Sequence, residues 1–548
     1  MIKNWQILSK IKSKKGELKT EEVIKILLDN RGLKTLAQQK EFLNPENPRT
    51  ITAKELDIPE KEIKKAVAMI KKAITTKEKI IIYGDYDTDG VCATAILWET
   101  LYGLGAEVMP FIPKRDEGYG LKVERIEEFA KNGVKIIITV DQGIVAYTQA
   151  ECAKKNKVDL IITDHHALGK KLPKAFSIIH TLKLSGAGVS WFLAKQLGEP
   201  DLDLVTIGTI ADLMPLTGAN RSLVTFGLQA LQKTKRIGLQ KLFAKAGIKP
   251  ETISTYEVGY LIAPRINAAG RIEDPMDALR LLCVKNEEKA DLFAQILEEK
   301  NKERQIMMEQ MTIHAREVWL KEDSKGKLIF ISDTSYEEGI IGLIAGKLTE
   351  EFYRPSIILT RGEKYSKASA RSIYGFNIVE AINTCSDLLD SCGGHEMAAG
   401  FSVENSKLEE LKNRLIALAE KNINEEMLKP RLRIDMQLDL ADLSLVLASS
   451  LEKLAPFGLG NPEPVFVSHN LQVVDVRTVG SDGKHLKLKV TDSDGKNTIE
   501  AIAFGMGSQL AAMTNNKSVS MAYNLDINEW NSERKLQLRI KDIKINES

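Results

Sequence analysis

The sequence is poor in cysteine, and the few cysteines that it has are scattered. Cys92, Cys152, Cys283, Cys385 and Cys392 show no Cys-x-x-Cys spacing. This pattern argues against a zinc ribbon and against a disulfide-stapled secreted domain. We therefore expect the protein in a reducing compartment, the cytoplasm.

Long apolar runs and a charge excess of one sign are lacking as well. The first residues are lysine-rich, and no apolar stretch reaches the roughly 20 residues of a membrane-spanning helix. We therefore expect neither a signal peptide nor a membrane segment. The formal net charge is only +2, so any binding of nucleic acid has to come from local basic patches. A chain of 548 residues of which 43% are hydrophobic is long enough for several domains.

Acidic residues and histidines, in contrast, are concentrated at the ends of apolar runs. The runs at 80–82, 136–140 and 160–162 each lead to aspartate or to an Asp-His-His triplet, and a fourth run at 205–211 leads to one more aspartate. Because ligands collect at the carboxyl ends of parallel strands in open α/β sheets, these positions are expected to meet in one crevice. The candidate catalytic residues are Asp85, Asp87, Asp89, Asp141, Asp164, His165, His166 and Asp212.

This set of donors predicts a metal site. Carboxylates so close together disfavour joint ionisation unless cations neutralise them. Oxygen donors with one or two imidazoles suit Mn²⁺ or Mg²⁺ better than structural zinc, and Mn²⁺ is our first expectation. A calcium loop is disfavoured because position 12 counted from Asp85 is Ile96 and not glutamate. Two ions about 3.5–4 Å apart would clamp a phosphoryl group and activate a bridging water, which is the chemistry of phosphoester hydrolysis.

Several motifs then carry a family resemblance over roughly residues 40–545. Gly-Asp-Tyr-Asp-x-Asp-Gly at 84–90, Val-Asp-x-Gly at 140–143, Asp-His-His at 164–166 and Ala-Asp-x-x-Pro-Leu at 211–216 resemble motifs of the DHH phosphoesterase superfamily, and within it of the RecJ branch. Further segments that resemble this branch, in the same order, begin at Arg115, Ser185, Pro264, Ala370, Gly393 and Pro456.

The resemblance implies a 5′ to 3′ exonuclease that is specific for single-stranded DNA and acts with Mn²⁺ or Mg²⁺ in DNA repair and recombination. It implies two ions with Asp141 between them, bound by Asp87, Asp89, Asp141, His165 and Asp212. The roles of Asp85 and His166 stay open, since His166 could bind a metal or contact the scissile phosphate while Asp164 fixes a ring tautomer.

Single-stranded DNA is the implied partner, with a single-strand-binding protein and a helicase as further candidates. From the residues alone, Arg265 and Arg271 could instead cap helices or pair with acidic neighbours. The resemblance favours contacts to DNA phosphates, for which the candidates are Arg115, Arg265, Asn267, Arg271, Arg371, Ser372, Gly393, Gly394 and His395.

The order of patterns along the chain, together with what the resemblance implies, predicts five segments of an α/β multidomain protein. We expect an N-terminal helical segment at 1–45, a DHH catalytic domain with a parallel sheet at 46–275, a long connecting helix at 276–322, a substrate-binding DHHA1 α/β lobe at 323–428, and an antiparallel OB-like β-barrel that binds nucleic acid at 429–548. The segments at 264–271 and 392–395 are predicted as glycine-bearing loops. The lack of sustained heptads favours a bridging helix over a coiled coil, and hence a monomer. In the barrel, Phe466, Phe504 and Trp530 either stack on bases or belong to the core.

Two other functions stay open. A DHH-type phosphodiesterase of short RNA or cyclic dinucleotides would need only the two α/β lobes, whereas the long bridge and the barrel favour a polymeric substrate. A non-catalytic scaffold that binds single strands would be expected to have lost acidic metal ligands. This sequence retains Asp87, Asp89, Asp141, His165 and Asp212 together.

Overall fold

The N-terminal segment opens with a strand. The computed structural model describes residues 3–9, 18–118, 120–272, 274–321, 326–514, 518–530 and 533–546. The first elements are β1 Asn4–Ser9, α1 Thr20–Asn30 and α2 Leu36–Leu43. The expectation of helices throughout 1–45 fails at β1, because Trp5 and Ile7 pack against Ile434 and Val467 near the other end of the chain. This distant partner makes a strand out of six residues that carry little strand signal of their own.

The next unit is a parallel α/β sheet with the strand order β3-β2-β4-β5-β6. Its strands are β2 Lys79–Tyr83, β3 Val108–Phe111, β4 Val134–Val140, β5 Asp159–Asp164 and β6 Ser177–His180. The helices around the sheet and after it are α3 Glu60–Thr76, α4 Thr88–Gly103, α5 Val123–Lys131, α6 Tyr147–Lys155, α7 Gly186–Ala194, α8 Asp203–Ala211, α9 Gly218–Gln232, α10 Ile237–Lys245, a π-helical turn Glu257–Ile262, α11 Ala263–Ile272 and α12 Met276–Cys283.

Both faces of this sheet are covered. Alternate residues of β2 belong to two different cores: Ile80 and Ile82 to one, Ile81 and Tyr83 to the other. A strand buried on both sides has to be apolar throughout, which explains the continuous isoleucine run.

A single long helix, α13 Glu287–Lys321, connects the first lobe to the second. Its 35 residues span about 50 Å. Ala294 and Leu297 in its first half join the core of the parallel-sheet lobe, while Ala315 and Trp319 in its second half join a core of the second lobe. The helix is therefore packed at both ends, as expected for a bridge between lobes.

The second lobe is a mixed sheet with the strand order β10-β11-β9-β8-β7. It contains β7 Ile329–Asp333, α14 Ile341–Phe352, β8 Ser356–Arg361, β9 Tyr365–Arg371, α15 Ile378–Asn383, β10 Leu389–His395, β11 Ala398–Glu404 and α16 Leu408–Asn422. Only β7 and β8 pair in parallel; the other neighbours are antiparallel.

The C-terminal unit is a closed five-stranded barrel that is extended by two further strands. The elements are β12 Arg431–Gln437, α17 Leu445–Leu451, β13 Phe466–Val479, β14 His485–Thr491, β15 Thr498–Ala503, α18 Leu510–Thr514, β16 Ser518–Trp530 and β17 Glu533–Ile545. Pairing of β13 with β16 closes the barrel, and β12 and then β1 add to β13 in parallel. The barrel is antiparallel as expected except that β15 and β17 run parallel. Phe466 is buried core, Phe504 is exposed, and the side chain of Trp530 lies outside what is described.

Two segments expected to be loops are regular elements. Residues 264–271 lie in α11, which continues without a break from the π-helical turn Glu257–Ile262, so Pro264 directly follows that wider turn. Gly270 is required there for packing, because an added Cβ would lie 2.1 Å from the carbonyl oxygen of Tyr86. Residues 392–395 lie in β10, where Gly393 pairs with Gly400 of β11. Along the described ranges, no helix combines the length and the apolar character needed to cross a membrane.

Candidate metal centre

The acidic residues of the first lobe converge at the carboxyl ends of its strands. Asp85 follows β2, Asp87 is the N-terminal cap of α4 and accepts the Gly90 N–H at 2.9 Å, and Asp89 lies in the first turn of the same helix. Asp141 follows β4 in the left-handed region, with φ 61°. Asp and Asn adopt that region more readily than most residues, which suits the sharp turn after the strand.

Three overlapping groups of side chains bring ligand atoms within 4.8 Å of one another: Asp85 with Asp87 and Asp141; Asp89 with His165 and Asp212; and Asp141 with His165 and His166. His165 Nε2 lies 3.0 Å from Asp141 Oδ1 and 4.0 Å from Asp89 Oδ2, while its Nδ1 lies 3.7 Å from Asp212 Oδ2. Asp212 comes from the C-terminal end of α8 and not from a strand.

Two glycines allow helices to approach these carboxylates closely. An added Cβ at Gly186 would lie 2.4 Å from the side chain of Asp141, and one at Gly208 would lie 2.4 Å from Asp89 Oδ1. The N-terminal turn of α7 also binds Asp89 directly, through the N–H groups of Gly186 at 2.6 Å and Ala187 at 3.0 Å. Asp89 is therefore fixed in place by packing and hydrogen bonds together.

The carboxyl groups are buried and repel one another. Burial and then Asp87 raise the pKa of Asp85 to about 8 and that of Asp89 to about 7. Burial and then Asp89 raise the pKa of Asp212 to about 8, and the same two causes raise the pKa of Asp141 well above its usual range.

This arrangement fits divalent cations. Cations replace the protons that such carboxyls otherwise retain near neutral pH. In addition, Asp85 Oδ1 is buried, and within the described ranges no hydrogen-bond donor contacts it. The donor set is oxygen with imidazole nitrogen and contains no thiolate, which suits Mn²⁺ or Mg²⁺.

The pKa values of the two histidines of the triplet shift in opposite directions. Asp164 Oδ2 accepts the Ile144 N–H at 2.8 Å, and its Oδ1 contacts His166 Nδ1 at 2.8 Å. Burial alone would raise the pKa of Asp164, but the hydrogen bond and charge of His166, together with the N–H groups of His166 and Ile144, outweigh it and the pKa is lowered. Burial likewise opposes the charge on His166, yet Asp164 raises the pKa of that ring. Burial and then His166 lower the pKa of His165 to about 4, which keeps this ring in the neutral form that binds cations.

Arginines from both lobes meet beside the acidic centre. Arg271, at the end of α11, donates from Nη1 to the Gly339 carbonyl of the second lobe at 2.6 Å. Burial and then nearby Arg115 and Arg304 lower its pKa to about 10, with a smaller contribution from Arg371 and with Asp87 opposing them. Arg115 Nε and Arg304 Nε are buried, and among the described residues neither has a hydrogen-bond acceptor. We call Arg115, Arg271, Arg304 and Arg371 the arginine cluster.

Other predicted phosphate contacts are already engaged within the protein. Arg265 Nε pairs with Glu298 at 2.7 Å and its Nη1 donates to the Leu261 carbonyl at 2.7 Å, so this guanidinium ties α11 to α13. The Ser372 hydroxyl donates to the Phe376 carbonyl at 2.5 Å. Asn267 uses its amide oxygen to accept the Thr88 N–H at 2.9 Å.

The structure places Gly393, Gly394 and His395 on the exposed edge strand β10. Gly394 has φ 145°, and an added Cβ would lie 2.4 Å from the Ala398 carbonyl oxygen, so a glycine is needed there for the hairpin itself.

Sequence reasoning missed Arg304 and the two packing glycines. Arg304 lies in the middle of a polar helix, where a further arginine is unremarkable, and only the bridging position of α13 brings it to the cluster. Gly186 lies in the segment beginning at Ser185 that resembles the family, but no local pattern reveals that it packs against Asp141.

A parallel sheet with an aspartate–histidine centre at its strand tips, joined by one long helix to a second α/β lobe, defines the DHH class of proteins. Residues 79–216 match the DHH family N-terminal domain, 325–425 the DHHA1 domain and 434–542 the RecJ OB domain. The chain is 36% identical over 563 aligned residues to the single-stranded-DNA-specific exonuclease RecJ of Bacillus subtilis, covering 99% of this chain and 71% of the relative. The chain belongs to the RecJ family.

Solved structures agree with this assignment. The crystal structure of RecJ from Thermus thermophilus in complex with Mn²⁺ superposes with a TM-score of 0.80 at 30% identity, covering 96% of this chain and 76% of that one. The Mg²⁺ complex from the same organism gives a TM-score of 0.75 at 28% identity, covering 96% and 75%.

Proposed function

We propose that this protein is a metal-dependent exonuclease that hydrolyses single-stranded DNA to mononucleotides from the 5′ end. The observation that carries the proposal is the convergence of five aspartates, three of them buried, and one neutral histidine beside the arginine cluster, in a chain of the RecJ family. The curated relative is named as a single-stranded-DNA-specific exonuclease, and the structural relatives bind Mn²⁺ or Mg²⁺.

The groupings of side chains suggest how two cations would be shared. Asp85, Asp87 and Asp141 would hold one ion, which adds Asp85 to the ligands expected from the sequence. Asp89, His165 and Asp212 would hold the second, with Asp141 between the two. Bound there, the ions would supply Lewis-acid activation of water and of the phosphate.

The remaining residues of the centre position groups and carry charge. Asp164 holds His166 by its Nδ1 and favours the protonated ring. The side chain of His166 is 42% exposed, so it can present positive charge to a scissile phosphate. His180 Nε2 donates to the His166 carbonyl at 2.7 Å and thereby fixes the backbone of the triplet.

Phosphate binding is assigned to the arginine cluster. The buried Nε groups of Arg115 and Arg304 would gain acceptors when a phosphate enters, and charge-assisted hydrogen bonds of this kind are strong. Asn267, Gly393, Gly394 and His395 remain candidate contacts along the strand. Arg265 and Ser372 are better explained as structural, because Arg265 pairs with the buried Glu298 and the Ser372 hydroxyl donates to the Phe376 carbonyl.

We extend the proposal to the cellular role. An enzyme restricted to single strands needs a source of them, so a helicase and a single-strand-binding protein are the proposed partners in repair and recombination. All five cysteines are free, which suits a reducing cytoplasm. The long helix is packed at both ends within the chain, which favours a monomer.

The test is digestion of a single-stranded oligonucleotide labelled separately at its 5′ and 3′ ends, with Mn²⁺ or with chelator. We expect immediate release of 5′-labelled mononucleotide that is abolished by chelator and by Asp141→Asn. Asparagine is chosen because it tolerates the positive φ of residue 141 and changes only the charge. Early release of the 3′ label would refute the direction. Intact DNA that is nevertheless bound would refute the nuclease.

A further inference from the structure

Two exposed tyrosines stack on each other at the start of the helix that ends in the arginine cluster. Tyr256 and Tyr260 are 58% and 69% exposed, and their ring centroids lie 4.9 Å apart at an interplanar angle of 29°. Tyr260 belongs to the π-helical turn Glu257–Ile262, a feature that is frequent at functional sites. A flat ligand that covered these rings would gain the hydrophobic stabilisation that they lack in water.

The tyrosines share one accessible face of this helix with residues at the metal centre. The helix runs without a break from Thr255 through the π-helical turn into α11, and the residues accessible along one of its faces recur every three or four positions. They are Tyr256, Tyr260, Pro264, Asn267 and Arg271. At the far end of this face, Asn267 contacts the N–H of Thr88 and Arg271 interacts with the charge of Asp87. Tyr260 precedes Arg271 by eleven residues, or about 16 Å along the helix.

The tyrosine end of the face lies between the metal centre and the barrel. An added Cβ at Gly259 would lie 3.8 Å from Ile210, two residues before Asp212. The Thr255 hydroxyl donates at 2.8 Å to the carbonyl of Phe457, in the segment that leads into the barrel. A strand that passes from the arginine cluster towards the barrel would therefore run over the tyrosine pair.

We propose that Tyr256 and Tyr260 form a stacking platform for unpaired bases, a few nucleotides from the scissile phosphate. This rests on the proposed function, since it assumes that a single strand occupies the arginine cluster. Every base has a π face, so such a platform tolerates any sequence, whereas bases stacked and paired in a duplex cannot offer that face to it. Because the two rings are already stacked on each other, little side-chain freedom is lost on binding.

The experiment measures binding of a fluorescently labelled single-stranded oligonucleotide in chelator, where no hydrolysis occurs. The double variant Tyr256→Ala/Tyr260→Ala should raise Kd at least about fivefold, the lower end of the range for base–aromatic stacking. A single abasic nucleotide, moved stepwise from the 5′ end of the oligonucleotide, should raise the Kd of the wild-type protein by a similar factor at one or two positions. At those positions it should leave the Kd of the double variant unchanged. Tyr256→Phe/Tyr260→Phe should bind like wild type, because the rings remain.

The chain offers a matched control in a second stacked pair. Trp98 and Tyr102 have ring centroids 5.2 Å apart at 22°, and Tyr102 is 60% exposed. Tyr102 lies in the last turn of α4, about 20 Å along that helix from Asp87. Tyr102→Ala should leave Kd unchanged.

Two results would overturn the platform. One is a rise in Kd for Tyr102→Ala equal to that for the double variant. The other is an abasic nucleotide that raises the Kd of the double variant by the same factor as that of the wild-type protein at every position. Failure of the wild-type protein to degrade the oligonucleotide with Mn²⁺ would instead refute the exonuclease. The binding measurement would still decide the platform, because it uses no cation.

Discussion

An alanine at position 208 tests whether close packing fixes the Asp89 carboxylate. The added Cβ would lie 2.4 Å from Asp89 Oδ1 and 2.5 Å from the Cβ of Ala187, about 1 Å inside ordinary contact. Overpacking of this kind costs about 1–3 kcal/mol, while replacing a helical glycine by alanine returns about 1 kcal/mol. We therefore expect a loss of at most about 2 kcal/mol in the free energy of unfolding.

The effect on catalysis should be larger than the effect on stability. If Asp89 moves by about 1 Å, the rate should fall about 100-fold and the Mn²⁺ concentration for half-maximal rate should rise. The assay is degradation of labelled single-stranded DNA across a Mn²⁺ titration, with thermal unfolding measured alongside.

The control for this substitution is Gly346→Ala in α14, where nothing lies within 4 Å of the added Cβ. In this variant the free energy of unfolding should rise by up to about 1 kcal/mol, and the kinetics should stay those of the wild type. A Gly208→Ala protein with wild-type rate and Mn²⁺ dependence would refute the reasoning.

Three further predictions follow from the charges. In chelator, the free energy of unfolding should fall as pH rises from about 4 to about 8, because Asp85 and Asp212 keep protons in the folded state that the unfolded chain has released. Thermal unfolding at pH 5 and at pH 8 should show this loss of stability. Addition of Mn²⁺ at pH 8 should restore it. Arg265→Ala should destabilise by up to about 3 kcal/mol, the lower end of the range for breaking a buried ion pair, since Glu298 loses its buried partner and keeps the exposed Lys302; a denaturation midpoint equal to wild type would contradict this. Arg271→Ala should raise KM for single-stranded DNA at least tenfold with a smaller change in kcat, because a charged phosphate contact is worth about 1.5–3 kcal/mol; an unchanged KM would remove Arg271 from the phosphate site.

The acidic centre could be predicted from the sequence because its residues follow buried apolar strands. The direction of a parallel sheet is enough to bring Asp85, Asp141 and Asp164 to one edge, whatever the details of the packing. Asp212 was found in the same way, at the end of the apolar run 205–211, although that run forms a helix and not a strand. These inferences need only local patterns and one rule of topology.

What could not be predicted depends on contacts between distant segments. Proline and glycine in 264–271 suggested a loop, yet Gly270 is there so that α11 can approach the carbonyl of Tyr86. Arg265 and Arg271 lie six residues apart on the same helix, and only the positions of Glu298 and Gly339 separate a structural arginine from one beside the metal centre. No local pattern contains that information.

The pairing of β1 with β12 has a consequence for the order in which the protein is made and folded. β1 is synthesised long before its partner at Arg431–Gln437, which appears only after both α/β lobes have been made. The lobes can fold while the first strand waits, and their folding shortens the effective loop that must close. A barrel expressed without residues 4–9 would leave the outer edge of β12 bare, and an unpaired strand edge of this kind readily pairs with a neighbouring chain. Aggregation of separately produced barrels would then report a missing strand and not an unstable domain.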